Sequence, residues 1–171
     1  MAELIVASYA ALQASIPGVH YVYGETGWAA GGSFKPHRTH QNGLSVDFFV
    51  SVRDGPGPHG AAALTRFGYD LDFEAEARHG EHRIDLPALA EHLYALHRAA
   101  KAQGVGIARV IFDTAYLPVL FATPPGRYLR QHLPFMKSKP WVRHDEHYHV
   151  DFALACRPDD RGPASWGTST G

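Results

Sequence analysis

Two histidine-rich segments constrain this chain more than any other feature. They lie about a hundred residues apart in a sequence of 171. The first runs His37-Arg-Thr-His40-Gln-Asn-Gly43-Leu-Ser-Val-Asp47, and the second runs His144-Asp-Glu-His147-Tyr-His149-Val-Asp151. His147 to Leu154 has strand character. Successive side chains of a strand point to opposite faces, so His147 and His149 emerge side by side. Two imidazoles on one face can approach a single ion. Asp47 falls in a second strand candidate, Leu44 to Val52, and His40 in the loop that feeds it. Gly43 permits the chain reversal between them. Two nitrogens and one carboxylate oxygen leave a fourth position open, which is the zinc arrangement for hydrolysis and not for structure. Water bound there would have a pKa near roughly 7.

Around these segments the chain reads as one α+β domain over residues 1–156, with a small central antiparallel sheet flanked by helices and long loops. Residues 157–171 read as a frayed tail. Leu4 to Ser15 is expected to be a helix, with Leu4, Ala7, Ala11 and Leu12 on one face, stopped by Pro17-Gly18. Val19 to Tyr23 is expected as a strand, and Gly24 to Gly43 as a long functional loop. Arg53 to Ala61 is a turn-rich connection. The clearest helix is Leu86 to Gln103, with Asp85 as N-cap, Pro87 in its first turn and Gly104 at its C-cap. Gly106 to Phe112 reads as a buried strand and Thr114 to Leu120 as a second short helix. Pro124 to Pro140 is a basic, proline-punctuated stretch. No βαβ rhythm is present, which argues against a doubly wound sheet.

The charge balance excludes some partners. Sixteen basic and 17 acidic residues give a net charge of -1. That gives no electrostatic case for nucleic acid or an anionic membrane surface. No apolar run approaches the ~20 residues of a membrane span. The single cysteine, Cys156, allows neither an internal disulfide nor a cysteine-rich zinc site. The first sixteen residues carry Glu3 and no basic residue, so no export signal is expected in this sequence.

At the two histidine blocks the sequence resembles the penicillin-insensitive murein endopeptidases, within the zinc peptidases grouped with lysostaphin, the D-Ala-D-Ala peptidases and the hedgehog domain. The resemblance rests on His37, then His40-Gln41-Asn42-Gly43-Leu44-Ser45-Val46-Asp47. It continues in Pro140-Trp141-Val142-Arg143-His144-Asp145-Glu146-His147-Tyr148-His149-Val150. It implies an enzyme that cuts cross-links between peptidoglycan stem peptides, with one Zn2+ per chain held by His40, Asp47 and His149. It makes His147 the catalytic histidine and His37 and His144 additional active-site histidines. The family's usual disulfides and signal peptide are missing here, and Ser45 stands where an acidic residue is common.

The resemblance implies action in the periplasm or cell wall. Without an export signal, three routes there stand open: a longer precursor, cell lysis by a phage-type enzyme, or a secretion apparatus as partner. Glu146, three residues before His149, is the rival base to His147, though strand alternation puts it on the opposite face. Asp145 and Asp151 are candidates to orient ligand imidazoles. The basic stretch that leads into the second block includes Arg127, Arg130, Lys137, Lys139 and Arg143. Arg130 and Arg143 are candidates to bind stem-peptide carboxylates, and Trp141 is a candidate wall of the cleft. A D-alanine carboxypeptidase or dipeptidase and a non-catalytic zinc module are the competing functions.

Overall fold

The computed structural model describes residues 1–35, 37–54, 65 and 68–155. Most of the turn-rich connection, Cys156 and the expected tail lie outside the described residues. The chain is a mixed α+β domain built on two three-stranded antiparallel sheets. In chain order the elements are α1 (Ala2–Ser15), β1 (Ser45–Phe49), β2 (Val52–Asp54), a 3-10 turn (Ala75–Ala77), β3 (Arg78–His79) and β4 (His82–Ile84). Then follow α2 (Leu86–Ala102), β5 (Val105–Ile111), α3 (Leu117–Phe121), α4 (Gly126–His132) and β6 (His147–Leu154).

The main sheet has the order β1-β6-β5, so the two histidine blocks meet as neighbours at its centre. Its register pairs Asp47 with His149, Phe49 with His147 and Ser45 with Asp151. On the far side of β6, Ile111 pairs with His149 and Arg109 with Asp151. Alternation then divides the sheet into two faces. Val46 and Phe48, Val110, and Tyr148, Val150 and Phe152 join Leu4, Ile5, Leu89, Leu93 and Leu96 in one hydrophobic cluster. That cluster seats the sheet on α1 and α2. The opposite face carries Asp47, His147, His149 and Asp151.

Helix α2 follows from local sequence. The Asp85 side chain accepts from the Ala88 backbone N–H at 3.1 Å, and Pro87 occupies the first turn. Gly104 closes the C-terminus at a φ of +69°. Helix α1 differs from expectation in its buried stripe, which is Leu4, Ile5, Ser8 and Leu12, leaving Ala7 and Ala11 exposed. Ser8 is accommodated because its hydroxyl donates to the Ile5 carbonyl at 2.7 Å.

Four other expectations are corrected. Val19 to Tyr23 is not a strand: only Tyr23 forms a bridge, to Phe48. The segment after it lies along the outer edge of β1, with Gly24 N–H donating to Asp47 O at 2.6 Å and Asp47 N–H to Glu25 O at 3.0 Å. Leu44 to Val52 is two strands. The chain leaves the main sheet at Val50, whose N–H donates to Glu146 O, and β2 joins the second sheet, β2-β4-β3. In β5 only Val110 and Ile111 are buried, because the strand is a sheet edge with an irregularity between Ile107 and Arg109. The short helix begins at Leu117 and not at Thr114, and the basic stretch contains a further helix, α4.

Candidate metal centre and active-site cleft

Three side chains converge on one point of the polar sheet face. His40 Nε2 lies 3.2 Å from His149 Nδ1 and 3.2 Å from Asp47 Oδ2, and His149 Nδ1 lies 2.7 Å from Asp47 Oδ1. All three residues are buried. His37 lies against the same group: His37, His40 and Asp47 each offer a ligand atom within 4.8 Å of the others. Two histidines and an aspartate can therefore hold a metal ion here. A tetrahedral zinc with bonds of about 2.0–2.2 Å sets its donor atoms roughly 3.3–3.5 Å apart. Two of the three separations in the His40, Asp47, His149 set approach that spacing. The third is short because a proton joins His149 to Asp47.

The electrostatics follow from this packing. Burial acts to raise the Asp47 pKa, but hydrogen bonds from His149 and His40 outweigh it and hold the carboxyl well below the usual range. Burial acts to lower His149, but bonds to Asp151 and Asp47 outweigh it and raise the imidazole to about 9. His149 Nε2 donates to Asp151 Oδ1 at 2.7 Å, and Asp151 also accepts from the Ser45 hydroxyl at 2.7 Å. A carboxylate behind a ligand imidazole fixes its tautomer and strengthens it as a donor. The proton on Nδ1 lies between the His149 ring and the Asp47 carboxylate.

His40 reaches this point through an unusual backbone, with φ at +61°, a left-handed value that costs a non-glycine residue energy. Gly27 makes room for it. A Cβ on Gly27 would overlap the His40 carbonyl, so the loop can cross there only as glycine. His37 Nε2 sits 2.6 Å from Glu25 Oε2, on the segment that borders β1.

His147 differs from its neighbour two residues on. Its Nδ1 lies 2.9 Å from the Gly68 carbonyl, an arrangement that puts the proton on Nδ1. Its Nε2 is buried and has no hydrogen-bond partner among the described residues. His144 likewise points Nδ1 at a carbonyl, Val142 O at 2.9 Å, and burial lowers its pKa to about 4. It is therefore neutral near pH 7. The His144 and His147 rings are 4.6 Å apart.

A cleft of about 550 Å³ opens over the cluster, lined by His37, Arg38, Thr39, Asp47, Tyr69, Ile111, Trp141, Val142, His144 and His149. Trp141 is 63% exposed at its rim. Arg143 is directed elsewhere. Its guanidinium pairs with Asp145 and Asp72 and borders a separate cavity. Arg130 lies on α4 and lines neither cavity. Both carboxylate oxygens of Glu146 are engaged, one by the Leu71 N–H and the other by the Thr65 hydroxyl at 2.7 Å.

The sequence pattern of the penicillin-insensitive murein endopeptidases matches residues 5–165, nearly the whole chain and both histidine blocks. The chain belongs to that family. Its members are metallopeptidases of the peptidoglycan hydrolase class. No curated protein matches the sequence. Among the described residues, no helix is long and apolar enough to cross a membrane.

Several residues of the murein endopeptidase cleft carried no sequence signal. Arg38 and Thr39 stand between two histidines that drew the attention. Tyr69 lies in an unpatterned stretch, yet its ring meets His147 edge-on at 4.7 Å. Burial, with Asp47 and Glu25 nearby, raises the Tyr69 pKa well above the ordinary phenol value and keeps the hydroxyl protonated.

Proposed function

We propose that this protein is a zinc-dependent endopeptidase that hydrolyses the amide joining D-alanine to diaminopimelate across two peptidoglycan stems. The carrying observation is the convergence of His40, Asp47 and His149 within 2.7–3.2 Å under an open cleft. In this reading these three hold the ion, and His37 serves at its side. His149 is favoured over His37 as the third ligand because its Nδ1 lies within 3.2 Å of His40 and 2.7 Å of Asp47 and it is backed by Asp151, whereas His37 is engaged by Glu25. Bound zinc supplies Lewis-acid activation of water and of the scissile carbonyl.

The remaining chemistry belongs to side chains. His147, protonated at Nδ1 and bare at Nε2, takes a proton from the attacking water and returns it to the leaving amine. Glu146 is a poor rival, since its two oxygens are committed to the Thr65 hydroxyl and the Leu71 N–H. Neutral His144 and Tyr69 flank the reacting carbonyl, and the Tyr69 hydroxyl is the available neutral donor to a developing oxyanion. Trp141, Val142 and Ile111 give the cleft apolar walls. Arg38, the cation among the lining residues, meets a substrate carboxylate.

The test is a purified dimeric muropeptide, incubated with the protein with and without a chelator and followed by chromatography. Conversion of dimer to monomers, blocked by chelator and indifferent to penicillin, is expected. Release of free D-alanine from an otherwise intact dimer would refute the endopeptidase reading in favour of a carboxypeptidase. Zinc binding with no change in the dimer would leave a non-catalytic module.

A further inference from the structure

Glu146 is 3% exposed and immediately precedes His147, in the bend that leads into β6, and it does not line the cleft. Its carboxylate grips a different part of the chain. One oxygen accepts the Leu71 backbone N–H, and the other accepts the Thr65 hydroxyl at 2.7 Å. The Thr65 oxygen in turn accepts the Gly68 N–H at 3.0 Å. Asp145 adds a parallel contact, accepting the Phe73 N–H at 3.1 Å. Two adjacent carboxylates thus fix the backbone from residue 68 to residue 73.

That backbone delivers two groups to His147. The Gly68 carbonyl lies 2.9 Å from His147 Nδ1, and the Tyr69 ring packs edge-on against the imidazole. Gly68 is suited to this approach. Its φ is +73°, and a Cβ there would stand 3.0 Å from the Phe49 ring and 3.1 Å from His147 Nδ1. A carbonyl facing Nδ1 forces the proton onto that nitrogen and leaves Nε2 as a lone pair.

We propose that Glu146 is a positioning residue. It clasps Thr65 and Leu71 so that the Gly68 carbonyl selects the His147 tautomer and Tyr69 stands as a wall of the cleft. This rests on the reading of His147 as proton carrier, but its central claim is structural and can be tested without turnover.

The experiment uses the zinc-loaded protein and reads the His147 ring nitrogens by long-range proton–nitrogen NMR, alongside zinc stoichiometry and kcat and KM on dimeric muropeptide. Glu146→Ala should keep one zinc per chain, lose the single Nδ1–H signature and lower kcat by about 10- to 100-fold, with KM raised as Tyr69 is released. Glu146→Gln keeps an oxygen for the Leu71 N–H and can donate to Thr65. It should retain the signature and most of kcat.

If Glu146→Ala fails to fold, Thr65→Val loosens the same clasp from the other side and should broaden or shift the signature. Loss of turnover in Glu146→Gln with an unchanged His147 spectrum would overturn the proposal and make Glu146 the base. An unchanged His147 spectrum in Glu146→Ala, or in Thr65→Val if the alanine variant does not fold, would overturn it as well. Should the wild type leave the dimer intact, the spectra and zinc content still decide the positioning role, separately from the substrate.

Discussion

Gly27→Ala is the most discriminating perturbation of the candidate metal centre, because it changes no polar group and removes no proposed ligand. A methyl on Gly27 would sit inside the van der Waals sphere of the His40 carbonyl oxygen and 3.0 Å from its carbon. Ordinary contacts between carbons lie near about 3.5–4.0 Å, so the two backbones must part by on the order of 1 Å. Metal sites tolerate about 0.2 Å in ligand position. His40 cannot absorb the difference by rotating its backbone, since its φ of +61° is already a costly conformation. Alanine at Gly27's own φ of +108° adds strain of about 1–3 kcal/mol.

The expected result is a zinc affinity lower by roughly 10- to 100-fold. It should be accompanied by a Tm lower by about 2–12 °C, at about 2–4 °C per kcal/mol for a chain of this size. Competition with a chromophoric chelator measures the first, and thermal unfolding by circular dichroism the second. Gly106→Ala is the control, because a Cβ there meets Ala153 at an ordinary 3.5 Å. Wild-type zinc affinity in Gly27→Ala would show that the loop does not set His40 as described.

Other outcomes follow from the same geometry. His40→Ala, Asp47→Ala and His149→Ala should each lower zinc content and abolish turnover, whereas His147→Ala should keep zinc and lose about 10²–10⁴ in rate; elemental analysis beside kinetics separates the two classes. Asp151→Ala should weaken zinc by about 10- to 100-fold without removing a ligand, read by the same chelator competition, and an unchanged affinity would deny it an orienting role. Arg38→Ala should raise KM for dimeric muropeptide more than it lowers kcat and leave zinc content alone, as loss of uniform binding requires.

His92 predicts acid sensitivity. It is fully buried beside the Tyr148 hydroxyl, and burial lowers its pKa to about 3 from the ordinary 6.5. The unfolded chain therefore binds a proton that the folded chain refuses, below about pH 6.5 and down to about pH 3. Stability should fall by about 2 kcal/mol from this group between about pH 7 and about pH 5. Urea unfolding of His92→Phe should show a shallower pH slope on a lower plateau, since Tyr148 loses its partner. An equal slope would count against the assignment.

Local sequence determined those elements whose causes are local. Helix α2 carries its own cap, first-turn proline and terminal glycine within the reach of its own turns. Strand β6 was legible at both ends from the run His147 to Leu154. The two histidine blocks could also be read as parts of one site, because alternation alone puts His147 and His149 on one face. Tertiary structure decided what depends on a partner from elsewhere in the chain. Strand alternation treats His147 and His149 alike. The β1–β6 register sets Asp47 opposite His149 and Phe49 opposite His147, and the Gly68 carbonyl accepts the Nδ1–H of His147.

The arginines show the same limit. Nothing local separates Arg38 from Arg130 or Arg143, since each is a guanidinium near the right segments. Asp145 and Asp72 draw Arg143 away from the cleft, while Arg38 lines it. Val19 to Tyr23 had strand composition. Only one of its residues bridges, because the chain bends along the edge of β1 to carry the His37 and His40 loop over the sheet. Propensity and periodicity are properties of a few consecutive residues. Register, hydrogen-bond partner and tautomer are properties of pairs brought together by folding, and the chemistry of this site resides in the pairs.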